Sequence, residues 1–420
     1  MGTLIQKIKI ILSRYSKVFE NYFFMTFLQG ANMLIGLFLY PYLIRVLGQS
    51  NYGTYVFVFS NISFFISFIS FGFTYPALKK VSLQPENADV KNETVSGVFT
   101  AKFYLFLVSV LILSCLIAFV PFVKTNAWLY IIIFSTVLNE VLFPVWYFQA
   151  VQKMKYVTFV QLSIKLLSIP LILIFVKSPD NLLLYASIMS GLTVLGAVFS
   201  VFYLRVKEGV VTRFVSLKSL RTLFSDSLPF FWTSAFGTVK REMVTLIIGT
   251  FFNMRDVAIY DLANKIVMIP RLITNNINSA IFPSMIGDIQ AGKIKKIIRH
   301  ESIIALATIL LIVVFGYWAV LLLGGKGMLA AYPMAIALSI TIYTYLVVGC
   351  YINYVFVPQN RYYFVTKNQF VALVSFLVLT LFGVFVCKNI LLIALAYSLS
   401  GIIEIFYCKY VINKYKLYEF

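Results

Sequence analysis

Basic side chains sit where the sequence is otherwise apolar. Lys165 lies near the middle of an apolar run at about 156–177, and Lys240 and Arg241 near the middle of one at about 227–252. Lys265 and Arg271 lie within a third, at about 256–285. Three carboxylates, Glu140, Glu242 and Asp261, occupy similar positions. Ionisable groups at membrane depth are costly and by default mark substrate paths or proton relays. Facing lipid, each cation would cost about 2.5–3.5 kcal/mol to insert. The five together, roughly 12–17 kcal/mol, would match the whole stability of an ordinary domain. They must therefore face water or a counter-ion, and three carboxylates cannot pair five cations. A hydrated, positive lumen is expected, which suits an anion: a small anion, a nucleotide or a lipid phosphate. Lys165, Lys240, Arg241, Lys265 and Arg271 are the candidate substrate-binding residues.

Periodicity supports this for the run at 256–285. At 100° per residue, Asp261, Asn264, Lys265, Arg271, Asn275, Asn276, Asn278 and Ser279 fall within an arc of about 160°. Leu262, Ile266, Ile273 and Ile277 fill the other face. Asp261 and Lys265 are spaced i,i+4 and can pair. Such a stripe lines a path or bonds a neighbouring helix, and its length favours the path. Gln161, Lys165 and Ser168 repeat the pattern weakly, and Gln29 and Asn32 can serve as helix–helix contacts. Glu140 is either the structural partner of Lys165 or a protonatable group. A carboxyl desolvated at mid-membrane holds its proton more tightly, so Glu140 and Asp261 are the candidates for ion coupling.

Other chemistry is poorly supported. Gly287 to Lys293 matches the start of a phosphate-binding loop, but Ile294 stands where a magnesium-binding hydroxyl is needed, and no strand precedes it. Cys115, Cys350, Cys387 and Cys408 form no C-x-x-C pair, so neither a disulfide framework nor a metal site is expected. His300 is the sole histidine and reads as an interfacial residue. Of the sequons, Asn61-Ile62-Ser63 lies in a span and Asn92-Glu93-Thr94 faces the cytoplasm, so glycosylation is not expected. No cofactor is implied.

The elements that position these residues follow from composition. Of 420 residues, 61% are hydrophobic and 12% charged, far from the roughly 45–50% and 25% of soluble domains. The net charge of +20 comes without long basic runs, which argues for topology control rather than nucleic acid. Twelve segments are long and apolar enough to span a membrane, at about 20–44, 54–79, 96–120, 128–150, 156–177, 181–204, 227–252, 256–285, 300–323, 330–357, 368–387 and 389–410. The first is too long for a signal-peptide core and reads as a retained span. With both termini in the cytoplasm, 23 bases fall in inner loops and tails and six in outer loops. The basic stretch 205–226 divides the chain into 1–204 and 227–420, six spans each. The expected fold is an all-α integral membrane protein of about twelve transmembrane helices, in two six-helix bundles around a central cationic cavity. All outer loops are short, which argues against a membrane polymerase or glycosyltransferase.

Two stretches carry a family resemblance. The first is Gln29-Gly30-Ala31-Asn32, then Pro41-Tyr42-Leu43-Ile44-Arg45-Val46-Leu47-Gly48, then Asn51-Tyr52-Gly53. The second is Pro144-Val145-Trp146-Tyr147-Phe148-Gln149 followed by Lys153-Met154-Lys155, with Ala150 where the pattern has glycine. Weaker echoes are Ile247-Ile248-Gly249, Tyr260 through Lys265, and Phe282-Pro283. The sequence resembles the Wzx-type O-antigen and polysaccharide repeat-unit flippases of the MOP exporter superfamily. That resemblance implies a non-enzymatic, cofactor-free carrier in the bacterial inner membrane, working by alternating access. Its substrate would be an undecaprenyl-pyrophosphate-linked oligosaccharide, an O-antigen or capsule unit of lipopolysaccharide or polysaccharide biosynthesis. A polysaccharide polymerase and a chain-length regulator would be its protein partners. The alternative within the superfamily is a small-molecule or multidrug antiporter, which for cationic drugs would want a more acidic lumen. Independent of the resemblance, Gly48 and Gly53 suit a tight turn, and Trp146 and Tyr147 suit an interfacial aromatic belt.

Overall fold

The computed structural model describes residues 2–285 and 291–417, with side chains over 20–216, 220–271 and 292–417. The start of the phosphate-loop-like stretch, the side chains of Asn275, Asn276, Asn278 and Ser279, and Phe282-Pro283 lie outside these. Among the described residues there are helices and turns and no strand.

α1 (Gly2–Ser70) is one long helix interrupted at Gly48, whose φ of 78° and ψ of 160° are not helical. An L side chain resists that conformation and glycine does not, so Gly48 turns the first span into the second. The second span stops at Ser70, short of the expected 79, because Phe71 and Gly72 take positive φ; α2 (Thr74–Leu83) follows. α3 (Ala88–Phe119) is capped by Asn87, whose side chain accepts from the backbone N–H of Asp89 and Val90. The expected span at 128–150 is broken into pieces: α4 (Pro121–Thr125) leads into α5 (Ala127–Phe134), α6 (Val137–Leu142) and α7 (Val145–Ala150). Hydroxyls of Ser135 and Thr136 donate to the carbonyls of Ile132 and Ile133 at the first break. Pro144, which has no N–H to donate, sits at the second. α8 (Met154–Phe175) and α9 (Leu182–Lys207) complete the first half. α10 (Leu217–Phe251), α11 (Met254–Met285), α12 (Ala291–Gly324), α13 (Ala331–Tyr351), α14 (Tyr362–Phe385) and α15 (Ile390–Tyr415) follow, with a π-helical turn, Ile352–Phe356, extending α13.

Nine helical stretches among the described residues are long and apolar enough to cross a membrane. One of them, Glu20–Ser70, has the length of two spans. α10 and α11, of 35 and 32 residues, are also long enough. Both carry the charges that the sequence places at membrane depth. The architecture is the expected all-α membrane fold of about twelve helices in two six-helix bundles.

By contacts the chain divides into two units. The first holds Met1–Leu39 and Phe65–Phe231, the second Tyr40–Phe64 and Trp232–Phe420. Two segments differ from the expected division. Tyr40–Phe64 packs within the second unit, and 205–231 belongs to the first. The second difference has a visible cause. Asn92, Ser96 and Thr100, spaced i, i+4 and i+8 on α3, bond alternate residues of the extended stretch 210–215. Asn92 Oδ1 accepts from Val211 N (3.0 Å), Ser96 Oγ from Arg213 N (3.0 Å) and Thr100 Oγ1 from Val215 N (3.2 Å). The basic stretch is thus laid along α3 by its own backbone donors rather than hanging as a loose linker.

The core of the first unit is built on Phe73, Tyr147, Phe148, Val157 and Ala197, all fully buried. Trp146 and Tyr147, expected in an interfacial belt, are instead core side chains, at 3% and 0% exposure. In the second unit Cys350, Tyr354, Phe356, Cys408 and Ile412 form a buried cluster. There Gly53 faces α11 so closely that an added Cβ would lie 1.7 Å from the Met254 carbonyl oxygen. Gly53→Ala is therefore expected to cost about 1–3 kcal/mol, the usual range for overpacking, while Gly30→Ala, with open space around it, costs little. Thermal melts of the two purified variants test this, and equal melting temperatures would refute the close approach.

Candidate functional site

The second unit holds most of the candidate residues. On α11, Lys265 forms the expected i,i+4 ion pair with Asp261 Oδ2. The pair is set by Tyr52, whose hydroxyl donates to Asp261 Oδ2 (3.0 Å) and accepts from Lys265 Nζ (3.1 Å). Lys265 also lies over the rings of Tyr40 and Tyr52, 5.1 and 5.6 Å from their centroids. Tyr40 meets Tyr52 edge to face and donates to the Ala258 carbonyl (3.3 Å). Charge on α11 is thus held by two tyrosines from the part of α1 that contains the sequence motif.

A cavity of about 560 Å³ lies between α10, α13, α14 and α15. Lys240 and Arg241 of α10 line it, with Thr344, Tyr345, Asn353, Gln369, Tyr397 and Glu404. Lys240 is 6% exposed. Its ammonium donates to Glu404 Oε1 (2.5 Å) and lies 5.2 Å over the Tyr397 ring. Glu404 Oε2 accepts from Asn368 Nδ2 (3.1 Å), so both carboxylate oxygens are engaged. The Arg241 side chain is 53% exposed. Its Nε donates to Glu242 Oε1 (2.8 Å) and one Nη to Thr238 Oγ1 (3.4 Å). Glu242 Oε2 in turn accepts from Ser60 Oγ (2.9 Å). Arg271 stacks on Tyr345, 4.7 Å from the ring centroid, and the hydroxyls of Tyr345 and Tyr397 are 3.2 Å apart. Lys240, Tyr397, Tyr345 and Arg271 therefore form a continuous row of cations on aromatic faces, an arrangement that adds to the stabilisation of each cation.

The structure brings Lys240, Arg241 and, through Tyr345, Arg271 to one cavity. Lys265 and Asp261 form their own pair. Lys165 and Glu140 belong to the first unit and are not bonded to each other. Lys165 is half-buried, with no carboxylate partner among the described residues. Glu140 instead pairs with Lys102, whose ammonium donates to Glu140 Oε1 (2.6 Å) and to its backbone carbonyl (2.9 Å). Lys102 is 3% exposed. It falls in neither the loop counts nor the set of five depth cations, and Glu404 and the buried Glu301 are likewise missing from the three depth carboxylates. Charge pairing in the helices is accordingly more complete than sequence counting predicts. Sequence alone carries no signal for these three, because the partner of each lies on another helix far along the chain.

With the geometry established, likeness to known proteins can be placed. A family described as "Polysaccharide biosynthesis protein" matches residues 18–287, more than half of the chain. The chain belongs to that family. The match contains Tyr40, Tyr52, Lys240, Arg241, Lys265 and Arg271, and both sequence stretches that resemble polysaccharide flippases. A protein of Escherichia coli (strain K12) named "Putative O-antigen transporter" is 25% identical over 283 residues, 66% of this chain and 67% of that protein. Solved structures share the fold. The lipid II flippase MurJ in an inward closed conformation has a TM-score of 0.68 at 14% identity, covering 92% of this chain and 87% of its own. An inward-facing multidrug resistance MATE family transporter of the MOP superfamily has a TM-score of 0.67 at 12% identity, covering 92% and 94%. This polysaccharide biosynthesis family member therefore has the MOP-superfamily fold, as its motifs imply.

The Lys102–Glu140 pair, a buried ammonium on a half-buried carboxylate, yields a test of the charge logic. Lys102→Met leaves that carboxylate without its base and is expected to cost about 1–3 kcal/mol. Adding Glu140→Leu removes the stranded charge and restores most of that loss. Thermal unfolding of the single and double variants measures the difference, and a single variant as stable as the parent would overturn the assignment.

Proposed function

We infer that this chain is a flippase that carries an undecaprenyl-pyrophosphate-linked oligosaccharide, an O-antigen or capsule repeat unit, across the bacterial cytoplasmic membrane. The observation that carries the reading is the 560 Å³ cavity, in which a half-exposed Arg241 stands among tyrosine, threonine and amide side chains. A guanidinium fork matches the oxygens of a pyrophosphate better than a point charge does. Tyr345, Tyr397, Asn353 and Gln369 offer the ring faces and amide bonds that hydrated sugars use. The prenyl tail needs no polar site and can stay in lipid. Lys240, Lys265, Arg271 and Lys165 complete the proposed set of headgroup contacts.

In this reading transport runs from the inner to the outer leaflet by alternating access, with both termini cytoplasmic as the distribution of bases favours. No catalytic step or cofactor is required. Glu140 and Asp261 are the proposed coupling carboxylates, since a proton arriving on either would release its ammonium partner, Lys102 or Lys265. A polysaccharide polymerase and a chain-length regulator are the proposed partners that receive the flipped unit.

Deleting the gene and restoring it with variants tests the reading. Loss of surface polysaccharide, with lipid-linked units trapped on the inner leaflet, is the expected phenotype of the deletion. Arg241→Glu should fail to restore export although it inserts normally, and Arg241→Lys should restore it in part. Unchanged surface polysaccharide in the deletion, in a host with no second flippase, would refute the reading. Gain of drug sensitivity instead would point to small-molecule export.

A further inference from the structure

Glu301, on α12, is 1% exposed. Cys350 Sγ of α13 donates to its Oε2 (2.7 Å), and its Oε1 has no hydrogen-bond partner. Most other buried or half-buried carboxylates hold a base: Glu140 holds Lys102, Glu208 holds Lys153, Glu242 holds Arg241, Asp261 holds Lys265 and Glu404 holds Lys240. Asp256, at the start of α11, is bonded by Asn253 instead. Glu301, the more deeply buried of the two exceptions, has no base among the described residues. Among the described residues, the titratable groups that interact with it are the Cys350 thiol and the phenol of Tyr354, from the π-helical turn. On its own helix Lys295, Lys296, Arg299 and His300 point away and are exposed. An ionised carboxylate without a counter-ion in apolar surroundings is too costly to persist, and such a group keeps its proton instead.

The position of Glu301 ties that proton to the cavity. Val348, Gly349, Ile352 and Asn353 line the cavity. Cys350 and Tyr354, interleaved with them on the same two turns, face Glu301. The segment is the junction where α13 passes into the π-helical turn Ile352–Phe356. Wide turns of this kind are local departures from ideal helix and recur at functional sites. A proton leaving Glu301 puts a negative charge beside Cys350 and Tyr354. A solute entering the cavity pushes on the opposite side of the same turns.

The geometry points to Glu301 as a proton-binding site whose occupancy is coupled to the cavity through residues 348–354. The chemistry is a simple exchange. The O–H bond on the Glu301 carboxyl breaks, the proton passes to water, and the Cys350 S–H remains a donor to the carboxylate left behind. This goes beyond the flippase reading and does not need its substrate to be correct.

Two measurements on the full-length protein in lipid test it. Infrared spectra of the parent minus Glu301→Gln should show a protonated carboxyl C=O band at neutral pH that titrates away as the pH is raised. No band at neutral pH, or a band that does not titrate, overturns the proton site. For the coupling, a maleimide can be reacted with Asn353→Cys in a background lacking the exposed Cys115 and Cys387. The labelling rate, divided at each pH by that of free cysteine so that thiolate formation cancels, should change several-fold with pH and lose that residual dependence when Glu301→Gln is added, while Glu301→Asp keeps it. A residual pH dependence that survives Glu301→Gln overturns the coupling. Because glutamine mimics the neutral acid in shape, the variant should fold, and its melting temperature checks that. Neither readout uses a glycan, so their failure is separate from failure of the flippase reading.

Discussion

A charge inside a membrane helix must be met by another charge, by water or by a proton. The rest of this structure follows from that constraint. Pairing a buried ion recovers only part of the desolvation cost and requires further hydrogen bonds to do so. The observed pairs meet this condition. Glu404 is bonded by Lys240 and by Asn368, Asp261 by Lys265 and by Tyr52, and Glu242 by Arg241 and by Ser60. Each second bond comes from a different helical segment than the charge pair's own lysine or arginine. The ion pairs therefore act as joints: they fix which helices are neighbours, and an apolar contact would not do so with the same selectivity.

The same constraint explains what could be read from sequence. Lys240, Arg241, Lys265 and Arg271 were legible because two charges or more interrupt one apolar run, and the Asp261–Lys265 pair because helical spacing alone places it. Lys102, Glu301 and Glu404 were not legible. The partner of each lies far away in the chain: 38 residues for Lys102 and Glu140, 164 for Lys240 and Glu404, and 49 for Glu301 and Cys350. Span positions were readable because hydropathy is local. The breaks at Ser135-Thr136 and Pro144 were harder to see, since the run around them stays apolar while the backbone turns.

The motifs near the start of the chain take on a physical meaning in this light. Gly48 makes the turn, Gly53 allows the second span to touch the α11 backbone, and Tyr40 and Tyr52 meet the Asp261–Lys265 pair. Their spacing along α1 places them together against one stretch of α11. Tyr40–Phe64, flanked in sequence on both sides by the first unit, is thereby built into the second. A boundary drawn from loop charge cannot detect this, because it counts bases and not tyrosine hydroxyls.

The cavity's charge balance bears on how an anion would be held. Lys240 is matched by Glu404 and Arg241 by Glu242, so the walls carry no large bare surplus at rest, contrary to the simple count of cations. Selectivity for an anion must then come from donors that remain available. Arg241 engages Glu242 through Nε and Thr238 through one terminal nitrogen. A guanidinium has five N–H donors, so several remain to face the cavity from a side chain that is half exposed. Lysine in the same place would spend its single charged centre on the carboxylate. A site arranged this way holds an anion without first breaking its own ion pairs. It can also be reset by moving one partner, since Arg241 is tied to a carboxylate on one side and exposed on the other. On the proposed flippase reading, a balanced site with spare donors can take up a charged headgroup and let it go without leaving buried charges unpaired.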